Sequence, residues 1–298
     1  MFNLAVLLSS VVFWYFSFYR SVPPSSVGSL YFFRFLPKVV EIFSNLSELC
    51  LDCLEKPVFP SRTIAWVPRS DGTFVVTRAP GYLYSYKKGG LIGVWKKSCG
   101  TINGIAFSND GIYMVAVGDD GYLQVYEYAT KKLVSESHGH YAALLCCAWS
   151  VDGDYILAGG KDKRVYVWSM EEGKMVACGE GHGSWVLGVS FDPFWIPPSS
   201  DDAKQDVTYR FGSVDEGGHL LLWNFSKHDT VISQQRLSQS SEPQRPDHIP
   251  TLHPLVTCGA HDVDAPLLGL VFTRELVLTA RDNGYVRMWK RPCDASIV

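Results

Sequence analysis

From Thr63 onward the chain is written in short runs in which apolar and polar residues alternate, broken by turn residues such as Asp110-Gly111, Asp120-Gly121 and Asp152-Gly153. Alternation with a period of two places every second side chain on one face of a sheet, so each run predicts a strand. An Asp-Gly pair between two such runs predicts a hairpin. The runs are grouped, and the groups repeat. INGIAFSNDGIYMVAVGDDGYLQVYEY and LCCAWSVDGDYILAGGKDKRVYVWSM superimpose, as do LGVSFDP resuming at YRFGSVDEGGHLLLWNF and LGLVFTRELVLTARDNGYVRMWKR. A weaker fifth unit, TIAWVPRSDGTFVVTRAPGYLYSYKK, precedes them. The anchoring aromatics Trp66, Phe107, Trp149 and Phe191 are 41, 42 and 42 residues apart, and the closing aromatics Tyr86, Tyr126 and Trp168 are 40 and 42 apart.

A period in the low forties predicts one four-stranded propeller blade per repeat. A Gly-His pair leads some units, at Gly139-His140 and Gly181-His182, and both His140 to Trp168 and His261 to Trp289 span 28 residues. With those pairs in phase with the closing Trp, the chain resembles the WD-repeat (WD40) family. The resemblance implies an all-β fold, a WD40 β-propeller with about five recognisable four-stranded blades and its closure left open. It also implies a buried hydrogen-bond chain in each blade from His, a turn Asp, a Ser or Thr and the closing Trp. On this sequence those positions fall at His140, Asp162 and Trp168; at His182, Ser213 and Trp223; at His261, Thr279 and Trp289; and at Asp120. Each turn Asp is expected six residues before the closing aromatic, and no unit then holds all four members. The third has Ala158 for the hydroxyl and the last has Asn283 for the Asp.

The wording of the units narrows the resemblance. HGHYAALLCCAWSVDGDYILAGGKDKRVYVWS, then GHGSWVLGVSFDP, YRFGSV and a Pro-Leu-Val-x4-His step look like the branch of the dystrophia myotonica WD-repeat protein and the fungal catabolite-repression protein C. That branch implies a non-catalytic regulatory partner of a ubiquitin-specific protease. It has further blades where this chain has sixty unmatched residues, and a longer Ser-rich insertion.

The repeat region is read as residues 61–292, with a tail over 293–298 and insertions at 194–208 and 226–260, the second Ser-, Gln- and Pro-rich and flexible in composition. Residues 1–60 lack strand periodicity. Phe2 to Tyr19 carries no charge before Arg20, which is long enough for a bilayer crossing and a poor secretory signal, since no Lys or Arg precedes it. Two readings of the leader stand open, a membrane anchor over 2–19 or a mis-assigned start. The first gives a membrane-associated chain, the second a cytoplasmic or nuclear one.

Composition supports a packed core, with 47% apolar and 19% charged residues. A net charge of −3 argues against nucleic acid as a partner and gives no general attraction to anionic lipid. The eight cysteines show no disulfide framework. Cys146 and Cys147 lie in an apolar stretch and read as buried thiols. Cys50 and Cys53 form a lone CxxC that cannot close a zinc site. His138 and His140 lack a third ligand. Asp119, Asp120 and Glu127 have nothing to bring them into one cleft. No phosphate loop, nucleophile elbow or Cys–His pattern is present, so no catalytic residue, metal, cofactor or small-molecule substrate is expected.

Binding is therefore expected in the loops, which rigid blades display. The loops entering two adjacent units carry Tyr141 and Trp185, large aromatics of the kind that dominate interfaces. These two are the expected partner contacts; the plainer reading makes them a sheet-edge cover and a blade plug. Arg210 reads as a structural partner for a carboxylate rather than a rim charge. A cullin-type ligase receptor is the competing function, but the Asp-Arg that such receptors carry after the closing Trp is replaced here by Ser169-Met170, Asn224-Phe225 and Lys290-Arg291. A membrane-tethered scaffold is the third.

Overall fold

The computed structural model describes residues 61–78, 80–87, 90–97, 100–138, 142–195, 207–226, 249–259 and 265–291. The leader, the Cys50–Cys53 pair, the 293–298 tail and Tyr141, His140 and His261 lie outside the described residues. Contacts divide the chain into two compact units, Met1–Ile102 and Asn103–Val298. The described residues form five antiparallel sheets of about four strands each, the all-β architecture that the repeat predicts and the layout of an incomplete WD40 propeller.

In the first unit, blade one is a meander of β1 (Ser61–Trp66), β2 (Phe74–Arg78), β3 (Tyr82–Lys87) and β4 (Gly90–Lys96). Its alternation delivers Phe74 and Tyr86 to one face, where their rings stack at 5.4 Å with Trp66 tilted against Phe74.

The second unit holds the other four sheets. Blade two is β5 (Ile102–Phe107), β6 (Tyr113–Gly118), β7 (Tyr122–Glu127) and β8 (Lys132–His138). Blade three is β9 (Leu144–Trp149), β10 (Tyr155–Gly160), β11 (Arg164–Ser169) and β12 (Lys174–Glu180). Hairpin turns inside these blades follow one recipe. Ser108 and Ser150 donate to Asp110 (2.6 Å) and Asp152 (2.5 Å), and the following Gly111 and Gly153 sit at φ of 77° and 85°, where a side chain would be strained.

Blade four is assembled from β13 (Val186–Phe191), β14 (Thr208–Asp215), β15 (Leu220–Ser226) and, after a long excursion, β17 (Val256–Cys258). On its way back the chain lays β16 (Thr251–Leu252) parallel to β12, making blade three five-stranded. The connection read over 226–260 is thus shorter than expected, because its last part is strand. Blade five is β18 (Leu267–Phe272), β19 (Leu276–Arg281) and β20 (Val286–Lys290), with no fourth strand among the described residues.

Both faces of a middle blade are buried, because each packs on a neighbour. Val115, Val117, Leu123 and Val125 of blade two meet Leu144, Ile156 and Trp168 of blade three. Leu157, Val165 and Val167 of blade three meet Val186, Phe211 and Trp223 of blade four. Val214, Leu220 and Leu222 of blade four meet Leu267, Leu270 and Phe272 of blade five. Two-sided burial explains why all six residues of β10 are buried, glycines included. Each buried Val or Leu contributes roughly 1.5–3 kcal/mol, so these three interfaces dominate the unit's stability.

Candidate functional site

The loop between β12 and β13 carries a buried residue and an exposed one three positions apart. His182 is buried; Trp185 is 42% exposed. The first fixes the loop that displays the second.

His182 sits in a closed chain of four side chains. Trp223 Nε1 donates to Ser213 Oγ at 2.8 Å, and Ser213 lies 2.6 Å from His182 Nε2. His182 Nδ1 lies 2.9 Å from Asp215 Oδ2. An indole can only donate, so the Ser213 oxygen accepts from it and the hydroxyl proton goes to His182 Nε2. That leaves the Nδ1 proton for Asp215, and every polar atom in the chain is used. Burial opposes the charge on Asp215, yet the bonds from His182 and the His219 amide, with the fields of both imidazoles, hold its carboxyl below the usual carboxylate range. The backbone leaves room for the indole: a Cβ on Gly179 would lie 3.0 Å from the Trp223 ring.

Blade four therefore does hold all four members, which corrects the expectation that no unit would. The residue the fixed offset missed is Asp215. It stands eight positions before Trp223 rather than six, at the end of β14 instead of in the turn. Its sequence signal was Ser-x-Asp set ten and eight residues before a Trp. Asp120 and Asp162 sit six before their aromatics, in the turns. Asp120 accepts from the Tyr122 amide at 3.2 Å, and Asp162 accepts from the Tyr166 hydroxyl. In blade three, with Ala158 at the hydroxyl position, Trp168 Nε1 is buried with no partner among the described residues. In blade five Trp289 Nε1 donates to Thr279 Oγ1 at 2.9 Å, while Asn283 accepts from the Tyr285 amide at 3.3 Å.

Trp185 is held by its backbone, whose carbonyl accepts from the Glu216 amide at 3.0 Å. The ammonium of Lys161, in the turn of the preceding blade, lies 4.9 Å from its ring centroid. Lys161 is fixed in turn by its amide, which donates to Ala143 at 3.0 Å. The result is an exposed aromatic plate with a cation over it, on two anchored turns. Lys161 gave no sequence signal, since nothing local pairs it with a residue 24 positions on.

Arg210 is buried, donates from Nε to Asn224 at 3.1 Å and stacks on Trp195 at 3.4 Å, so it is structural, as its setting suggested. The ion partner of the nearby buried carboxylate Asp192 is instead Arg291, which also donates to the carbonyls of Thr273 (3.2 Å) and Arg274 (3.1 Å). Burial raises the Asp192 carboxyl above the usual range, against the pull of the Phe194 amide and the two arginines. The pair ties blade four to blade five. It also commits the guanidinium two residues past Trp289 to the protein's own interior.

Burial pushes the Cys146 thiol up to about 12 and Cys147 well above its ordinary value, as expected of unreactive thiols. Among the described residues no group of three or more His, Cys, Asp or Glu could hold a metal ion, and no helix is long and apolar enough to cross a membrane. Asp119 bonds Asn103 at 2.9 Å and Glu127 bonds Thr130 at 2.5 Å.

Residues 89–127 and 131–169 match the family described as WD domain, G-beta repeat. The chain is 31% identical over 242 residues to WD repeat-containing protein 20 of Mus musculus, covering 59% of this chain and 42% of that protein. It is 30% identical over 227 residues to the UBP9-binding protein bun62 of Schizosaccharomyces pombe, covering 64% of this chain and 40% of that one. The chain thus spans about two fifths of the length of these curated relatives. It contains a WD40-repeat β-propeller domain homologous to those of other WD-repeat proteins.

Proposed function

We propose that this chain is a non-catalytic scaffold that binds a ubiquitin-specific protease and supports its activity, with Trp185 and Tyr141 as the principal contacts. The observation that carries the reading is the pairing within one loop of a buried, fully bonded His182 and an exposed Trp185. An aromatic plate already held in place loses little freedom on binding, so its apolar surface and the Lys161 charge are available to a partner at low entropic cost. The kind of partner is suggested by the resemblance of the repeat wording and by the printed name of the fission-yeast relative, a UBP9-binding protein. Tyr141, in the corresponding loop of blade three, enters by its place in the repeat.

The test is capture of purified ubiquitin-specific proteases by the full chain, beside Tyr141→Ala, Trp185→Ala and the double variant, each first shown to melt cooperatively. Hydrolysis of a fluorogenic ubiquitin substrate is followed with and without the chain. Capture by the wild type, loss in the double variant and a rise in turnover are the expected results. A folded wild-type chain that captures no such protease overturns the reading. Capture that survives the double substitution overturns the assignment of the face.

A further inference from the structure

The chain contains two Asn–Gly pairs, and the fold treats them oppositely. Asn103 and Gly104 lie inside β5. There Asn103 Nδ2 donates to Asp119 Oδ1 and to the Leu144 carbonyl, both at 2.9 Å. Gly104 is buried, and an added Cβ would lie 3.1 Å from Val117 and 3.3 Å from Cys146. Side-chain amide and following nitrogen are both held. Asn283 and Gly284 lie instead in the turn between β19 and β20, with Asn283 exposed and Gly284 at a φ of 93°.

Three features of this turn suit it to an attack by the Gly284 nitrogen on the Asn283 side chain. Glycine has no Cβ to obstruct the approach to Cγ. The hydrogen bond that the Gly284 amide donates to the Arg281 carbonyl is long, at 3.2 Å, so little holds that nitrogen back. The Tyr285 amide donates to Asn283 Oδ1 at 3.3 Å, which closes a ring containing the Gly284 nitrogen and polarises the Cγ carbonyl. A donor aimed at the oxygen on which negative charge develops lowers the barrier to addition.

We propose that Asn283 is a modification site, converted through a cyclic imide with Gly284 into aspartate and isoaspartate, while Asn103 is preserved. The Gly284 nitrogen gives its proton to a solvent base and bonds to Asn283 Cγ, and the carbonyl electron pair moves to Oδ1. Collapse restores the carbonyl and expels Nδ2, which takes a proton from solvent and leaves as ammonia. Water then opens the imide, so the net reaction consumes one water and releases one ammonia. Opening at Cγ gives aspartate; opening at the main-chain carbonyl gives isoaspartate. The aspartate product puts a carboxylate six residues before Trp289, where blades two and three carry Asp120 and Asp162 before their own aromatics. It suits the turn as found, since Asp120 accepts from the Tyr122 amide at 3.2 Å just as Asn283 accepts from Tyr285.

The test is incubation of the purified full chain at mildly alkaline pH in heavy-oxygen water, followed by digestion in ordinary water and peptide mass spectrometry. Heavy oxygen in the product marks conversion in the intact protein rather than during digestion. Asn103 reacts only through local opening of its strand, so conversion at 283 should be at least about tenfold faster. In denaturant the two pairs should convert at similar rates, with 103 gaining far more than 283. Asn283→Gln, which cannot form the five-membered ring, should melt like the wild type and lose the acidic species seen on ion exchange. Equal rates at the two sites in the folded chain, conversion at 283 only in denaturant, product without heavy oxygen, or an acidic species that persists in Asn283→Gln would each overturn the proposal.

Discussion

Blades three and four solve one problem in two ways. Each must bury a closing tryptophan against the preceding sheet, and each does so almost completely, with Trp168 at 3% exposure and Trp223 at 0%. In blade four the indole N–H enters a closed relay through Ser213 and His182 to Asp215. In blade three the hydroxyl is replaced by Ala158, the indole N–H has no partner among the described residues, and Asp162 turns to Tyr166. Ring packing alone is sufficient to place the tryptophan. The relay adds something else: it ties a strand end, Asp215, to a residue in the entering loop, His182, and so fixes the loop that displays Trp185.

The sharpest way to break this contrast is Asp215→Ala, which leaves His182 without its carboxylate in a dry site. A loss of about 2–3 kcal/mol in urea unfolding is expected, because the buried imidazole Nδ1–H and the His219 amide both lose a charged acceptor. Because the folded protein holds the Asp215 carboxyl low, its contribution is complete above the unfolded-state pKa, near 3.9. It is lost as the pH falls through the lower folded value. The gap between wild type and Asp215→Asn should therefore close on acidification below about pH 4, and a gap that widened there would reverse the sign assigned to this group.

Ser213→Ala comes next. It strips Trp223 Nε1 and His182 Nε2 of their shared partner and should cost about 1–3 kcal/mol, the penalty for buried groups left unpaired. It reproduces in blade four the arrangement that blade three carries naturally. The converse, Ala158→Ser, offers Trp168 Nε1 an acceptor and should raise stability by about 1 kcal/mol. A fall in the melting temperature would instead mean that blade three is packed too closely around Ala158 to accept the oxygen.

The smallest effect belongs to the surface. Lys161→Ala removes one cation–aromatic contact at an exposed ring, so global stability should change by no more than about 0.5–1 kcal/mol. Protease capture should weaken more than stability does. Capture that follows stability step for step would make the Lys161 side chain a structural element only.

What could be read from the sequence follows from how local each feature is. The strands, their turns and the ten-residue step from hydroxyl to tryptophan are short-range, and they were legible: Ser213 and Trp223, like Thr279 and Trp289, bond as that spacing implies. Asp215 escaped because a fixed offset assumes the carboxylate sits in the turn, whereas a carboxylate two residues earlier reaches the same imidazole from the strand end. The Asp192–Arg291 pair joins residues 99 positions apart in different blades, and no period marks it. Asp192 occupies the place of Ser108 and Ser150 after the anchoring aromatic, and that change of residue type was the available hint. β16 escaped for another reason, since two residues added in parallel to an existing edge carry no alternation to recognise.

That short strand also sets an order of events. β13, β14 and β15 leave the ribosome well before β17, and the returning chain binds blade three before it reaches blade four, through the parallel pairing of β16 with β12 that includes the Cys178 amide donating to Pro250 at 2.9 Å. Blade three needs only its own consecutive strands to form, so its edge exists when the returning chain arrives. Docking there shortens the remaining search for β17 to a few residues, and the entropy of closing the excursion is divided into two smaller steps. Blade four is thus completed only after the excursion returns, and the edge of its predecessor acts as the template on which it is finished.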